Sequence, residues 1–144
     1  MRGFLTHEGG QSLVELALTL PLLVFSILGG ADMARAFALQ IAVENGSRAG
    51  AESYAIDSTP TNSEAQAAAV AEINRTPTAA ATSADVTVTK AQADGVSACV
   101  SPPTVATPCY VSVRIIYPWT TIIAWPLVPN SGTFDRTTSI RTFY

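Results

Sequence analysis

The sequence predicts an α+β protein: a long N-terminal helix, then a small head in which a short helix packs on an antiparallel sheet of about three strands. Three observations support this prediction: an uncharged apolar run over residues 16–31, helical spacing that continues to about residue 58, and alternating apolar and polar residues in the last third of the chain. A chain of 144 residues holds one small domain beside such a segment. We therefore expect a leader over residues 1–10, the helix over 11–58 and the head over 59–144.

The apolar run is long enough to cross a membrane only if the helix also includes the turn before it. Residues 16–31 would form roughly 24 Å of helix at about 1.5 Å per residue, whereas a membrane span takes about 20 residues. We therefore expect a transmembrane segment over about residues 13–31. The leader has a slight positive excess, which favours a cytoplasmic N-terminus and an extracytoplasmic head.

Glu15 is the unusual residue of this segment, because it places a carboxylate inside an apolar helix. Such a group costs roughly 2.5 to 3.5 kcal/mol near the bilayer centre and less near an interface. If a peptidase cuts between Gly10 and Gln11, the new α-amine has an unperturbed pKa of about 7.7 to 8.0 and is largely charged. Glu15 of a neighbouring subunit could then pair with that amine when helices pack side by side. Alternatively, Glu15 merely extends toward the cytoplasmic headgroups.

These residues resemble a known family. Gly10 before the cut, Gln11 to Glu15 after it, and the apolar run that follows resemble the class III signal of the type IV pilin superfamily. More narrowly, residues 10–55 resemble the TadE-like pseudopilins of the tight-adherence (Flp) pilus machinery. The positions that carry this closer resemblance are Glu15, Pro21, residues 32–37 and residues 48–51.

The resemblance implies a non-catalytic role as a minor pilin or pseudopilin in the assembly of a tight-adherence pilus, and so in surface adhesion. It implies cleavage by a membrane aspartic prepilin peptidase. It also implies other pilin subunits, tight-adherence assembly proteins and membrane lipid as partners. The expected location is the bacterial cytoplasmic membrane, with a single span and incorporation into an extracellular pilus. The chain is longer than the main Flp-type pilin, which favours a minor subunit.

Two other interpretations remain open at this stage. The helix could stay uncleaved and anchor an extracytoplasmic binding protein in the membrane. The small residues Gly29, Gly30 and Ala31 before Asp32 also resemble an ordinary secretory cleavage site, which would release a protein that begins at Asp32.

Several features of the long helix predict its packing. Pro21 removes a backbone donor, which predicts a kink near residues 17–20. Many small residues after the membrane segment would allow a close approach of other helices or of the head. The helix beyond the membrane segment also has an apolar stripe at helical spacing. It has two sets of charged residues that are three or four positions apart, which predict ion pairs on a solvated face. The stripe is Ala34, Phe37, Ala38, Ile41 and Ala42; the charged sets are Asp32 with Arg35, and Glu44 with Arg48 and Glu52.

The head begins with a second helix and continues as strands. Residues 61–63 offer N-caps for a helix that ends near Ile73. Alternation predicts strands over residues 86–89, 111–117 and 133–143. A hydrophobic loop at residues 121–124 either covers an edge of the sheet or forms an exposed apolar patch for a partner or the membrane surface.

Few residues of the head suggest chemistry. Cys99 and Cys109 most simply form a disulfide in an extracytoplasmic domain, because two thiols lack the further ligands that a metal needs. The single histidine, His7, lies in the leader, so a histidine-dependent catalytic site is excluded for the mature chain. We expect no enzyme, cofactor or metal. A net charge of −3, with Lys90 as the one lysine, also argues against nucleic-acid binding.

Overall fold

The structure is a computed structural model that describes residues 8–126 and 128–143. Its chain forms two compact units that divide between Arg35 and Ala36. The elements confirm the predicted α+β fold: a long helix, a short helix and a three-stranded antiparallel sheet. Their bounds are α1 Glu8–Ile56, α2 Asn62–Ile73, β1 Val86–Gln92, β2 Cys109–Thr120 and β3 Ser131–Thr142, with a 3₁₀ turn at Ser83–Asp85 before β1.

Helix α1 continues through the positions that could have interrupted it. Pro21 lies inside the helix, and Gly29 and Gly30 are helical as well. The hydroxyls of Thr19 and Ser26 each donate to a backbone carbonyl one turn earlier, at 2.9 and 2.8 Å. The helix is long and apolar enough to cross a membrane by length and composition. A bend at Pro21 stays a prediction.

Helix α2 begins at a capping box that its sequence encodes. The Thr61 hydroxyl accepts a hydrogen bond from the Glu64 amide at 3.3 Å, and the Glu64 carboxylate accepts one from the Thr61 amide at 3.1 Å. These two bonds satisfy donors that a helix otherwise leaves without partners. The small apolar face of α2 is buried through Ala65, Ala69 and Ile73.

The three strands pair in sequence order, with β2 in the middle. Val113 of β2 pairs with Val88 on one side and with Thr138 on the other. Strand β1 covers only the first part of β2, whereas β3 pairs with β2 along its whole length. The β2–β3 hairpin therefore extends beyond β1.

The second half of α1 and all of α2 pack on one face of this sheet. Gly50 of α1 lies so close to the sheet and to α2 that a Cβ atom there would be 3.2 Å from Val113 Cγ1 and 2.9 Å from the Ala65 carbonyl oxygen. The buried Ser47 hydroxyl lies 2.7 Å from that of Thr138 on β3. The hydrophobic core therefore lies between the helices and one face of the sheet.

The face of α1 that enters this core differs from the predicted apolar stripe. Of the stripe, only Ala42 is buried; Phe37 and Ile41 are 59% and 60% exposed. The head packs instead on a face with smaller residues, because small side chains let the sheet and α2 come close to the helix. The buried residues of this face are Ala36, Leu39, Ala42, Val43, Gly46, Ser47, Gly50, Ala51, Tyr54 and Ala55.

The predicted ion pairs along α1 form only in part. Asp32 and Arg35 form one, with 3.8 Å between Oδ1 and Nη2. Glu44, Arg48 and Glu52, all within the described part of the chain, form none. Side chains four residues apart on an exposed helix gain too little from pairing to be held together in water.

Candidate functional site: the exposed N-terminal helix

The proposed processing and docking residues lie together at the start of α1. Gly10, Gln11 and Glu15 are all helical and all exposed. Gln11 and Glu15 are four residues apart, so they lie on the same side of the helix. A Cβ atom built on Gly10 would have no neighbour within 4 Å. Residues 1–7 of the expected leader, including His7, lie outside the described residues.

The side chains around Glu15 form an apolar surface. Large aliphatic and aromatic residues are exposed on all sides of this part of α1, and the most apolar 18-residue window has a mean hydropathy of 2.0. A helix that is apolar on every side is typical of a membrane span or of a core enclosed by other helices. The exposed residues are Leu13, Val14, Leu16, Leu18, Leu20, Leu22, Leu23, Val24, Phe25, Ile27 and Leu28.

The outer face of the sheet has a different, polar character. Ser112 and Ser139 face each other across β2 and β3 with 2.7 Å between their hydroxyls. Next to them, Arg114 Nε donates to Asp135 Oδ1 at 2.9 Å. The Arg114 hydrogen bond holds the pKa of the Asp135 carboxyl below its usual value. This pair is fully exposed to solvent, so it contributes little to stability.

A shallow groove of about 450 Å³ lies beside this face. Lys90 and Gln92 of β1, Tyr110 of β2 and Val96 of the β1–β2 connection are among the residues that line it. The Lys90 ammonium group also lies 5.2 Å from the centre of the Tyr54 ring on α1. That contact gives the lysine a packing role.

Neither the groove nor the sheet brings together a set of residues for metal chemistry. Among residues 8–126 and 128–143, no group of three or more histidine, cysteine or acidic side chains could hold a metal ion. Cys99 and Cys109 form a disulfide that closes the connection between β1 and β2, as predicted.

The hydrophobic loop predicted at residues 121–124 is part of the β2–β3 connection. Ile122 is 68% exposed and Val128 is 54% exposed. The connection folds back on itself through Asn130, whose side chain bonds to the backbone of Trp125. Sequence reasoning identified the apolar residues but missed Asn130, because an asparagine beside a proline is also common in ordinary turns.

Comparison with known proteins identifies the family of the helix. The TadE-like protein family model matches residues 10–52. This range covers most of α1 and ends before α2, so the head lies outside the match. Comparisons with curated proteins and with solved structures give no significant match. The match confirms the resemblance found in the sequence: residues 10–52 are similar to TadE-like proteins.

Proposed function

We propose that this protein is a non-catalytic minor pilin or pseudopilin that takes part in the assembly of a tight-adherence pilus and so in surface adhesion. The observation that carries the proposal is the exposed apolar start of α1, in which Glu15 is the one charged residue between Gln11 and Ala31. This surface coincides with the TadE-like match. An isolated membrane helix gains nothing from such a residue, whereas a helix that packs beside copies of itself does.

In this proposal a prepilin peptidase removes residues 1–10 at the cytoplasmic membrane, and the head faces outward. Gln11 then supplies a positively charged α-amine at the start of α1. Glu15 of one subunit accepts a hydrogen bond from that amine on its neighbour, which offsets the desolvation of both groups. Cyclisation of the N-terminal glutamine would remove this charge and break the pair.

The exposed residues of α1 beyond the membrane segment support contacts with other pilus subunits. Phe37 and Ile41 lie away from the core of their own head. Their apolar surface is available for helix packing in a filament, where the partner would be another pilin-like helix. Other pilin subunits and tight-adherence assembly proteins are therefore the expected partners.

Two alternative functions require different features of α1. A permanently anchored binding protein needs the apolar segment but has no use for Glu15. A secreted protein cut after Ala31 needs the peptidase to reach a bond in the middle of a continuous helix. The Gly10–Gln11 bond also lies within α1, so helix continuity does not separate the functions; the carboxylate of Glu15 in the apolar segment is the feature that favours the pilin-like one.

The role of Glu15 is tested by Glu15→Gln, with Glu44→Gln as the matched control. Both residues are exposed glutamates of α1, and only Glu15 lies in the apolar segment. We expect Glu15→Gln to leave leader removal intact but to reduce co-purification with other pilus subunits and incorporation into sheared pili by at least about tenfold, the effect of losing about 1.4 kcal/mol per contact. Glu44→Gln should behave as the wild type. Unchanged incorporation of Glu15→Gln would contradict the docking role.

A further inference from the structure

The hairpin end of the sheet is an apolar surface that the pilin-like function does not explain. We call residues 116–126 and 128–130 the apolar tip. Residues 115–134 contain no charged side chain, and the chain's two tryptophans, Trp119 and Trp125, both lie in the tip. Ile116, Ile122 and Val128 of the tip are 44%, 68% and 54% exposed. A group of exposed large apolar side chains is typical of a surface that something else covers.

Four backbone polar groups of the loop form hydrogen bonds within the tip itself. The Thr121 amide donates to the Asn130 carbonyl at 2.9 Å. The Trp125 amide donates to Asn130 Oδ1 at 2.6 Å, and Asn130 Nδ2 donates to the Trp125 carbonyl at 3.1 Å. Backbone groups without partners are what keep most loops out of an apolar medium. Asn130 removes much of that barrier here.

The base of the tip has a fixed geometry. The rings of Trp119 and Phe134 stack with 5.8 Å between their centres and an angle of 13° between their planes. Gly132 lies directly beneath the indole, since a Cβ atom there would be 2.7 Å from Trp119 Nε1. The tip therefore presents its apolar side chains from a packed support.

The contacts between α1 and the sheet give the direction in which the tip extends. Gly50 lies against Val113 of β2. One turn later, Tyr54 lies beneath Lys90, which pairs with Val111. Moving forward along α1 therefore means moving backward along β2. Following β2 toward its C-terminal end therefore leads toward the residues at which α1 enters the head.

The lengths of the two elements place the tip near those residues. From Val113 to Thr120, β2 extends by roughly 24 Å at about 3.4 Å per residue. From Gly50 back to Ala36, α1 extends by roughly 21 Å at about 1.5 Å per residue. The tip thus lies at the end of the head at which α1 enters it, near Ala36.

We propose that the apolar tip inserts into the interfacial layer of the lipid bilayer that holds the N-terminal helix of the same chain. Tryptophan is enriched at this depth, because its ring is apolar and its N–H remains near water and headgroups. A lipid surface suits the tip, because the sequence of the tip carries no charge that would be costly to bury and contains two tryptophans, a residue that favours the bilayer interface. The proposal rests on membrane anchoring in the proposed function, but not on leader cleavage or on pilus assembly.

The two tryptophans make the tip directly observable by fluorescence. The full chain is placed in phosphatidylcholine vesicles as Trp119→Phe, so that Trp125 is the one remaining tryptophan. Lipids brominated at a shallow or a deep position of the acyl chain serve as quenchers. We expect strong quenching of Trp125, larger for the shallow bromines, because interfacial segments lie about 5 to 10 Å into the boundary between headgroups and chains. Aqueous iodide should quench Trp125 weakly.

A charged residue in the tip provides the comparison. Ile122→Glu adds a carboxylate to the tip, where Ile122 is 68% exposed. Val96→Glu adds one to an exposed apolar position on the β1–β2 connection, where Val96 is 88% exposed. We expect Ile122→Glu to lose most of the quenching by brominated lipid and to gain quenching by iodide. Val96→Glu should leave both signals unchanged.

Two results would overturn the proposal while leaving membrane anchoring in place. One is a chain that resists carbonate extraction but shows no quenching of Trp125 by brominated lipid and full quenching by iodide. The other is protection from both quenchers, which would mean that protein covers the tip. A chain that carbonate extracts from the vesicles would contradict the anchor itself, and the tip proposal would fall with it.

Discussion

Two glycines of α1 determine how closely the head approaches that helix. A Cβ atom on Gly46 would lie 2.5 Å from Ile73 Cγ1 and 3.0 Å from the Ala69 carbonyl oxygen. One on Gly50 would lie 2.9 Å from the Ala65 carbonyl oxygen. Backbone atoms cannot move aside as a flexible side chain can. Each glycine faces a backbone carbonyl at 3.0 Å or less, and Ile73 beside Gly46 is fully buried, so neither position has room for a methyl group.

We predict that Gly50→Ala destabilises the head by about 1 to 3 kcal/mol through overpacking, although alanine favours helices by about 0.5 to 1 kcal/mol over glycine. Gly30→Ala is the matched control, because a Cβ atom at this helical glycine would have no neighbour within 4 Å. Urea unfolding of the full chain in detergent, followed by tryptophan fluorescence, measures both. Equal stability of the two variants would contradict the close packing at Gly50.

The face of α1 that packs against the head has a recognisable sequence pattern, but the predicted apolar stripe is more hydrophobic and drew the prediction to another face. Ala42, Gly46 and Gly50 are spaced four residues apart, which is the pattern of a helix face that another backbone approaches closely. Phe37 and Ile41 have larger apolar surfaces, so hydrophobicity alone favours the wrong face. The sequence does not separate the two, because both faces of this helix are apolar.

At the scale of elements, the disulfide holds the long β1–β2 connection against the start of β2. Cys109 is the first residue of β2, and Cys99 lies ten residues earlier within that connection. The Cys99–Cys109 disulfide was predicted because an extracytoplasmic domain favours disulfides and because two thiols lack the further ligands that a metal ion needs. The antiparallel register was not predictable, because a long connection does not fix the pairing of its strands as a tight turn does.

We predict that the double variant Cys99→Ser/Cys109→Ser lowers the free energy of unfolding by about 2 to 3 kcal/mol, since the open loop gives the unfolded chain more freedom. Reducing agent should cause the same loss in the wild type and none in the variant. Urea unfolding with and without reductant provides the measurement. A wild type whose stability does not respond to reduction would contradict the structural role of the bond.

The secondary structure of the head was predictable to different degrees. Helix α2 was predicted with its N-cap among residues 61–63, and the structure places the N-cap at Thr61. The capping box with Glu64 was not predicted, although its residue types can be read in the sequence. The predicted β1 stopped at residue 89 and the predicted β2 at residue 117, whereas the strands reach Gln92 and Thr120. These extensions contain polar residues or proline, so their local sequence does not predict a strand. Pairing with the neighbouring strand holds them in the sheet.

At the scale of the whole molecule, the family match and the head provide separate information. The TadE-like match covers residues 10–52, so it describes the helix that membranes and filaments would contact. The head beyond it must be understood from its own geometry. Its polar outer face, disulfide-closed connection and apolar tip can each be varied without touching Glu15.

The mature N-terminus is the measurement that tests the pilin-like account most directly. Mass spectrometry of the chain purified from membranes and from pili should find Gln11 as the first residue. Gly10→Val should retain the leader, whereas Gly30→Val, at another helical glycine whose Cβ would meet no neighbour, should be processed normally. Assembled, functional protein that still begins at Met1, or one that begins at Asp32, would contradict the account.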